Sequence, residues 1–133
     1  MDYLLDTNIC IYTIEKKPIT VFEKFKKLSV GEVGVSSITL AELNYGVRKS
    51  LYTEKNQSAL NQFLIPLEII EFDANASFEY GKIRATLEKS GNPIGALDLL
   101  IAAHAKSLGT TLVTNNVKEF ERVVDLNIEN WAE

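Results

Sequence analysis

Short apolar runs alternate with longer helical patterns along this chain, and that alternation constrains the fold most strongly. The runs that predict strands are 3–5, 33–35, 67–72, 111–114 and 123–126. The helical patterns begin at about residue 7, are interrupted at Pro18, and continue at 21–28, 38–48, 54–65, 76–89, 96–108 and 117–120. Strands that alternate with helices predict a parallel sheet with helices on both faces. We therefore expect a three-layer α/β/α sandwich around a mainly parallel sheet of four to five strands.

The length and composition of the chain are those of one globular domain, which we place at residues 1–133. No apolar run approaches the roughly 18 residues that a membrane span needs. The acidic Asp2 is unlike the basic start of a secretory signal. Cys10 is the only cysteine, which excludes an intrachain disulfide. These features together predict a cytoplasmic protein with no membrane partner.

Polar side chains follow the predicted strands, at positions that their apolar neighbours do not explain. Asp6 follows the first strand, Glu42 lies on the helix after the second, and Asp98 interrupts an apolar helix. Asn116 and Glu119 follow the strand at 111–114. Because ligands of parallel sheets bind at the carboxyl ends of the strands, we expect these five side chains to lie close together.

Each of these residues also has an ordinary structural explanation. Asp6 is a favoured helix N-cap, and Thr39 with Glu42 fits a capping box. Asp98 suits the first turn of a helix, where the helix dipole favours an acid. Asn116 could form a turn, and Glu119 could be a solvated residue of a helix. A carboxylate within an apolar stretch is nevertheless costly unless it is paired or binds metal, and the joint placement favours a shared site.

Several carboxylates together supply the hard oxygen ligands that Mg²⁺ or Mn²⁺ prefers. One histidine and one cysteine cannot form the usual zinc site, and no glycine-rich nucleotide-binding motif is present. We expect His104 to be a core or helix-end residue and not part of a catalytic triad. A metal held by acids activates water and offsets charge on a phosphoryl group. The sequence therefore predicts phosphodiester hydrolysis without a covalent intermediate, with Glu42 as a candidate general base.

Four ordered motifs carry a resemblance to a known family. They are Leu-Leu-Asp-Thr-Asn-Ile at 4–9, Ser-Ile-Thr-Leu-Ala-Glu-Leu at 37–43, Asp-Leu-Leu-Ile-Ala-Ala-His-Ala at 98–105 and Leu-Val-Thr-Asn-Asn-Val-Lys-Glu-Phe at 112–120. Together with Asn-Trp at 130–131 they resemble the PIN-domain nucleases, and more closely the VapC toxins of bacterial VapBC toxin–antitoxin pairs. The resemblance spans the whole chain and implies the PIN-like form of the α/β/α sandwich.

The resemblance implies specific roles for the polar residues. Asp6, Glu42 and Asp98 would be the family's metal-binding acids. The fourth position of the family, usually acidic, falls on Asn116, and Glu119 would supply the missing acid. The implied catalytic set is Asp6, Glu42, Asp98 and Glu119, with the metal, Mg²⁺ or alternatively Mn²⁺, held by Asp6, Asp98 and Asn116.

The resemblance also implies a substrate and partners. The substrate would be RNA, most closely the anticodon stem-loop of initiator tRNA, whose cleavage inhibits translation. The partners would be a second copy of the chain and a VapB-type antitoxin whose tail covers the site in a toxin–antitoxin hetero-oligomer within a bacterial cytoplasm. Four polar residues beside the acids are the candidates for contacting substrate or supporting the metal: Thr7, Asn8, Thr114 and Asn115.

The chain carries a formal net charge of −4, which argues against a general nucleic-acid coat protein. A local basic cluster could nevertheless be an RNA-backbone contact, although such a cluster is more often a solvated helix face. It consists of Lys16, Lys17, Lys24, Lys26 and Lys27.

Two alternative functions remain open from the sequence. The first is a metal-dependent phosphohydrolase of another α/β class, although the Asp-x-Asp of haloacid-dehalogenase-type enzymes is absent because Asn8 stands two residues after Asp6. The paired acids and late lysine of a phospho-acceptor receiver domain are not evident either. The second alternative is a non-catalytic PIN-like binding module. Metal-dependent cleavage of RNA, and not of phosphomonoesters, would separate the nuclease from both.

Overall fold

A computed structural model describes all residues from 1 to 133 and contains one five-stranded sheet. All strand pairs are parallel, in the order β3-β2-β1-β4-β5. The strands are β1 Tyr3–Leu5, β2 Val33–Ser36, β3 Glu68–Ile70, β4 Thr111–Val113 and β5 Ile128–Glu129. The helices are α1 Thr7–Glu15, α2 Ile19–Lys26, α3 Ser37–Lys49, α4 Thr53–Leu64, α5 Ala74–Lys89, α6 Ala96–Leu108 and α7 Val117–Phe120.

The two faces of the sheet pack against two separate hydrophobic cores. Successive side chains of a strand point to opposite faces, so Leu4 and Leu112 pack with α5, α6 and α7. Leu5 and Val113 pack with α1 to α4 on the other face. The predicted three-layer α/β/α sandwich is therefore confirmed, with strands that are apolar on both sides as parallel strands usually are.

The last strand differs from the sequence prediction. Residues 123–126 lie in a turn, and the strand at this edge is Ile128–Glu129. Val123 is buried in the core beside α5 and α6, whereas Val124 is exposed. Asp125 has a φ of 63°, a left-handed conformation that an extended strand does not allow. The apolar character of this stretch thus reflects core packing and not strand pairing.

None of the seven helices combines the length and the apolar character needed to cross a bilayer.

His104 lies in the core, as the sequence predicts, and connects α6 to the end of β2. Its side chain is 1% exposed, and Nδ1 is 2.8 Å from the Ser36 hydroxyl, which itself caps α3 by accepting a bond from the Ile38 N–H. The Phe72 ring packs edge-on against the imidazole. Burial lowers the pKa of His104 from its ordinary value of 6.5, with partial opposition from the Asp73 charge.

The contribution of His104 to the free energy of unfolding should therefore decrease as the pH falls below about 6.5. Because the pKa of His104 is lower in the folded protein, the unfolded chain binds more protons in this range, and stability rises with pH. Denaturant titrations between about pH 8 and about pH 5.5 measure this effect. A His104→Gln variant should lose this part of the pH dependence. An unchanged pH profile in the variant would show that His104 does not titrate on unfolding.

Candidate active site

Four of the five predicted polar residues, Asp6, Asp98, Asn116 and Glu119, lie at the carboxyl edge of the sheet, between β1 and β4. The strand order reverses at this point, because β2 lies on one side of β1 and β4 on the other. Asp6 follows β1 directly, Thr114 follows β4 directly, and α6 begins nearby with Asp98 in its first turn. This is the crevice in which open parallel sheets bind their ligands.

Asp6 is a buried acid that also caps α1. Its Oδ1 accepts a 2.9 Å bond from the Ile9 N–H, so the predicted N-cap role is confirmed. The residue is only 6% exposed. Burial raises the pKa of the carboxyl, while hydrogen bonds from the Thr114 hydroxyl and the Ile9 N–H partly oppose that rise. The cap explains one hydrogen bond but provides no opposite charge.

Asp98 and Glu119 are joined through the side-chain amide of Asn116. The Asn116 Nδ2 donates to Glu119 Oε2 at 2.6 Å and to Asp98 Oδ2 at 3.3 Å. The other carboxylate oxygen of Glu119 accepts a 2.5 Å bond from the Gly95 N–H, at the start of α6. The structure thus brings together two acids from α6 and α7 with the amide between them.

The ionisation of these two acids is shifted in opposite directions. Burial raises the pKa of Asp98 to about 6, and the neighbouring carboxylates of Glu119 and Asp6 add to the rise. The Gly95 N–H lowers the pKa of Glu119, with help from the Asn116 amide and the nearby Arg122 charge. At neutral pH the site therefore gathers negative charge that disfavours the ionised form of Asp98.

No basic side chain neutralises this charge by direct pairing. The ion pairs of the chain, Lys82–Glu79 and Arg84–Glu88, both lie on α5. Acids held close together without a positively charged partner repel one another and destabilise the fold, and a bound cation removes this repulsion. No three acidic, histidine or cysteine side chains converge as a preformed cage. The donor set nevertheless suits Mg²⁺, which typically uses one or two carboxylates and keeps several waters.

Glu42 is placed by α3, and its surroundings differ from those of the other acids. The capping-box interpretation of Thr39 and Glu42 is wrong, because Ser36 is the N-cap of α3 and Glu42 is the sixth residue of the helix. Glu42 lines a groove between α1, α3 and α4, together with Glu15 and Asn56. No hydrogen bond joins it to the other acids, so its catalytic role stays a prediction.

The predicted substrate-contacting residues occupy different environments. Thr7 and Asn8 begin α1 beside Asp6; Thr7 is half-buried and Asn8 is exposed. Thr114 is buried, and its hydroxyl accepts a 2.9 Å bond from the Asn116 N–H. Asn115 is exposed and donates to a tyrosine hydroxyl of α1. Thr7, Asn8 and Asn115 are therefore accessible at the rim, whereas Thr114 supports the turn beneath it.

One contributor to the site was not predicted from the sequence. The backbone N–H of Gly95 holds Glu119, and a Cβ at this position would lie 3.5 Å from Glu119 Oε1 and 3.9 Å from Asp98 Oδ2. The available signal was a glycine immediately before a helix whose first turn carries an acid.

The basic cluster lies away from the acids. Lys16 follows the far end of α1, ten residues after Asp6, which corresponds to about 15 Å at roughly 1.5 Å per residue. Its ammonium group and that of Lys26 lie over the Phe22 ring, at 4.9 and 5.3 Å from its centroid. None of the five lysines forms an ion pair. This placement is typical of a solvated helix face, and RNA contact by the cluster stays a prediction.

Comparison with known proteins gives consistent matches over nearly the full length. A family model described as "PIN domain" matches residues 3–126. The chain is 52% identical over 132 residues to Ribonuclease VapC2 of Rickettsia felis, covering 98% of each chain. It is 45% identical to the tRNA(fMet)-specific endonuclease VapC of Shigella flexneri, covering 99% of each. A crystal structure of Rickettsia felis VapBC2 bound to promoter DNA superimposes with a TM-score of 0.92 at 51% identity, covering 98% of this chain and 99% of that one.

Proposed function

Because this chain belongs to the PIN-domain family and, within it, to the VapC ribonucleases, we propose that it is the toxin of a toxin–antitoxin pair and cleaves RNA with Mg²⁺. The observation that supports the metal most directly is the group of acids at the β1/β4 crevice. Asp6, Asp98 and Glu119 lie there without a lysine or arginine in ion-pair contact. A bound divalent cation would supply the missing positive charge.

We assign each residue of the site a separate role in hydrolysis. Asp6 and Asp98 would bind the cation. Glu119 would contact it either directly or through a bound water molecule. Such a cation lowers the pKa of water and offsets charge on the phosphate. Gly95 and Asn116 orient Glu119, and Glu42 on α3 would act as a general base from the neighbouring groove. Mn²⁺ would serve in place of Mg²⁺ because both accept oxygen ligands.

The substrate we propose is initiator tRNA, cut in its anticodon stem-loop. The support is the relative from Shigella flexneri, whose name specifies tRNA(fMet) and which matches this chain over 99% of both lengths. The accessible rim residues Thr7, Asn8 and Asn115 would contact the RNA beside the acids. Loss of initiator tRNA would stop translation, which makes the enzyme toxic to its own cell.

The partner we propose is a VapB-type antitoxin. The Rickettsia felis structure contains both components of its pair bound to DNA, and its VapC shares the present fold. In the proposed assembly, two copies of this chain associate and the antitoxin's tail covers the acids until it is removed. The assembly would act in the bacterial cytoplasm, where tRNA is found.

Incubation of purified protein with initiator tRNA tests this function. We expect cleavage at a defined position with Mg²⁺, no cleavage with a chelator, and restoration when Mg²⁺ or Mn²⁺ is added back. Asp6→Asn should lower the rate by at least roughly 10- to 100-fold, because the loss of a partner that only supports a metal ligand already costs that much. The helix should survive the change, because Asn caps a helix about as well as Asp. Sequencing of the RNA ends identifies the cleavage position.

The matched control is Asp2→Asn, which removes an exposed acid at the opposite end of the same strand. This variant should cleave at the wild-type rate. Cleavage of phosphomonoesters but not RNA would favour a phosphohydrolase and contradict the proposal. Chelator-resistant cleavage of RNA would contradict the metal requirement.

A further inference from the structure

We propose that Asn116 is a positioning residue that holds Glu119 in place for metal binding and does not itself bind the metal. The proposal rests on the metal-dependent function above and assigns a role to a residue at which the sequence alone suggested a ligand. Its basis is the pair of hydrogen bonds that the amide donates to Asp98 and Glu119.

The amide group that faces the acids is the NH₂ and not the carbonyl. An asparagine NH₂ carries two donor hydrogens, and two carboxylate oxygens lie 2.6 and 3.3 Å from Asn116 Nδ2. A carbonyl oxygen in the same place would meet two negative acceptors and would be repelled. An N–H donor cannot be a ligand for a cation, so the side chain in this arrangement acts on the acids and not on the metal.

The backbone around Asn116 fixes the direction of the amide. The Asn116 N–H donates to the Thr114 hydroxyl at 2.9 Å, and Thr114 is fully buried beside Asp6. Glu119 follows three residues later on α7, the spacing at which two side chains lie on the same side of a helical turn. The turn therefore places the Asn116 amide between Asp98 and Glu119 and brings the Glu119 side chain within hydrogen-bonding distance of that amide.

The arrangement explains why an amide fits at position 116 and a third acid does not. A carboxylate at position 116 would face Asp98 and Glu119 with like charge and would lose both donor hydrogens. With asparagine, the acid comes from Glu119 instead, held on one oxygen by Asn116 and on the other by the Gly95 N–H. Besides its contact with the Asp98 side chain, Glu119 is thus held by two N–H donors, the Gly95 backbone and the Asn116 amide, of which only the amide belongs to a side chain that can be substituted.

A double-mutant cycle on Mn²⁺ affinity tests the proposal. Isothermal titration calorimetry would measure the dissociation constant of Mn²⁺ for wild type, Asn116→Ala, Glu119→Gln and the double variant. A residue that acts through Glu119 should lose its effect when Glu119 is changed. We expect Asn116→Ala to weaken Mn²⁺ binding roughly 10-fold in the wild-type background and by less than about twofold in the Glu119→Gln background.

The matched control is Gln57→Ala, which deletes a half-buried, hydrogen-bonded amide on α4 and should leave the Mn²⁺ affinity unchanged. Equal weakening by Asn116→Ala in both backgrounds would overturn the proposal, because Asn116 would then act independently of Glu119. No weakening in either background would also overturn it. If wild type itself does not bind Mn²⁺, the proposed function fails as well. Equal weakening in both backgrounds, or no weakening in either, would overturn only the role of Asn116 and leave the proposed function unaffected.

Kinetics provide a second readout that separates positioning from RNA contact. If Asn116 only orients Glu119 for metal binding, Asn116→Ala should lower the apparent kcat on tRNA at sub-saturating Mg²⁺ and should lose most of that effect at saturating Mg²⁺. KM for the RNA should stay within about twofold. A rise in KM with unchanged kcat would assign Asn116 to substrate binding and overturn the proposal. Circular dichroism of each variant would verify that α7 and the rest of the fold are retained.

Discussion

Asp98→Asn should abolish metal-dependent RNA cleavage and, above about pH 6, make the metal-free protein more stable. The expected loss of rate is at least roughly 100- to 1,000-fold, the scale on which one electrostatic contact that stabilises the transition state contributes. Asp98 is central because the charges of both Asp6 and Glu119 act on it, and Asn116 bonds to it. An asparagine has nearly the same shape but supplies no charge for a cation.

The opposite effect on stability follows from the raised pKa of Asp98. The folded protein raises that pKa from 3.8 to about 6, so folding disfavours the ionised form and stability decreases as the pH rises through this range. Asparagine carries no charge and avoids this penalty at any pH. The stabilisation should therefore be present near neutral pH and should disappear below about pH 4, where the aspartate is protonated in both states.

Two measurements on the same preparations check this prediction. Thermal unfolding in chelator should show a higher Tm for Asp98→Asn than for wild type at neutral pH. Addition of Mn²⁺ should raise the Tm of wild type and not that of the variant, since a ligand stabilises only the state that binds it. A variant that is destabilised at neutral pH, or that gains stability from Mn²⁺ as wild type does, would contradict the proposed role of Asp98.

Phe120→Ala should cost about 3–5 kcal/mol of stability, the usual range for deleting a buried aromatic side chain. Phe120 is 0% exposed and lies in the core beneath α5 and α6. It is also the last residue of α7 and directly follows Glu119. Loss of the ring should therefore loosen the segment that carries the acid and lower cleavage even at temperatures where the variant remains folded.

Denaturant unfolding and cleavage assays measure the two parts of this effect. The matched control is Phe78→Ala on α5, where the ring is 68% exposed. That control should change stability by no more than about 0.5 kcal/mol. Phe120→Leu should retain more stability and activity than Phe120→Ala because it leaves a smaller cavity. Wild-type cleavage by folded Phe120→Ala would show that α7 packing does not position Glu119.

The layers of the fold could be predicted because parallel strands buried on both faces leave a strong sequence signal. Tyr3–Leu5 and Thr111–Val113 are short apolar runs that end at polar residues, and adjacent leucines in β1 serve the two cores. The position of Asp6 followed from the same signal. A residue directly after a buried parallel strand must lie at the carboxyl edge.

The details that could not be predicted depend on tertiary contacts. A two-residue strand such as Ile128–Glu129 is too short to show a recognisable strand pattern in the sequence. The buried Val123 nearby, by contrast, makes the stretch around it resemble an apolar strand. The true N-cap of α3 is a serine that also contacts His104, 68 residues away in the sequence. Likewise, the bonds from Asn116 to Asp98 and from Gly95 to Glu119 join segments whose meeting no local spacing determines.

Anomalous diffraction from crystals grown with Mn²⁺ tests the central claim most directly. The account predicts a peak at the β1/β4 crevice, within about 2.5 Å of at least one carboxylate oxygen of Asp98 and close to Asp6 and Glu119. The absence of a peak there at saturating Mn²⁺, or a peak only in the groove beside Glu15 and Glu42, would contradict it.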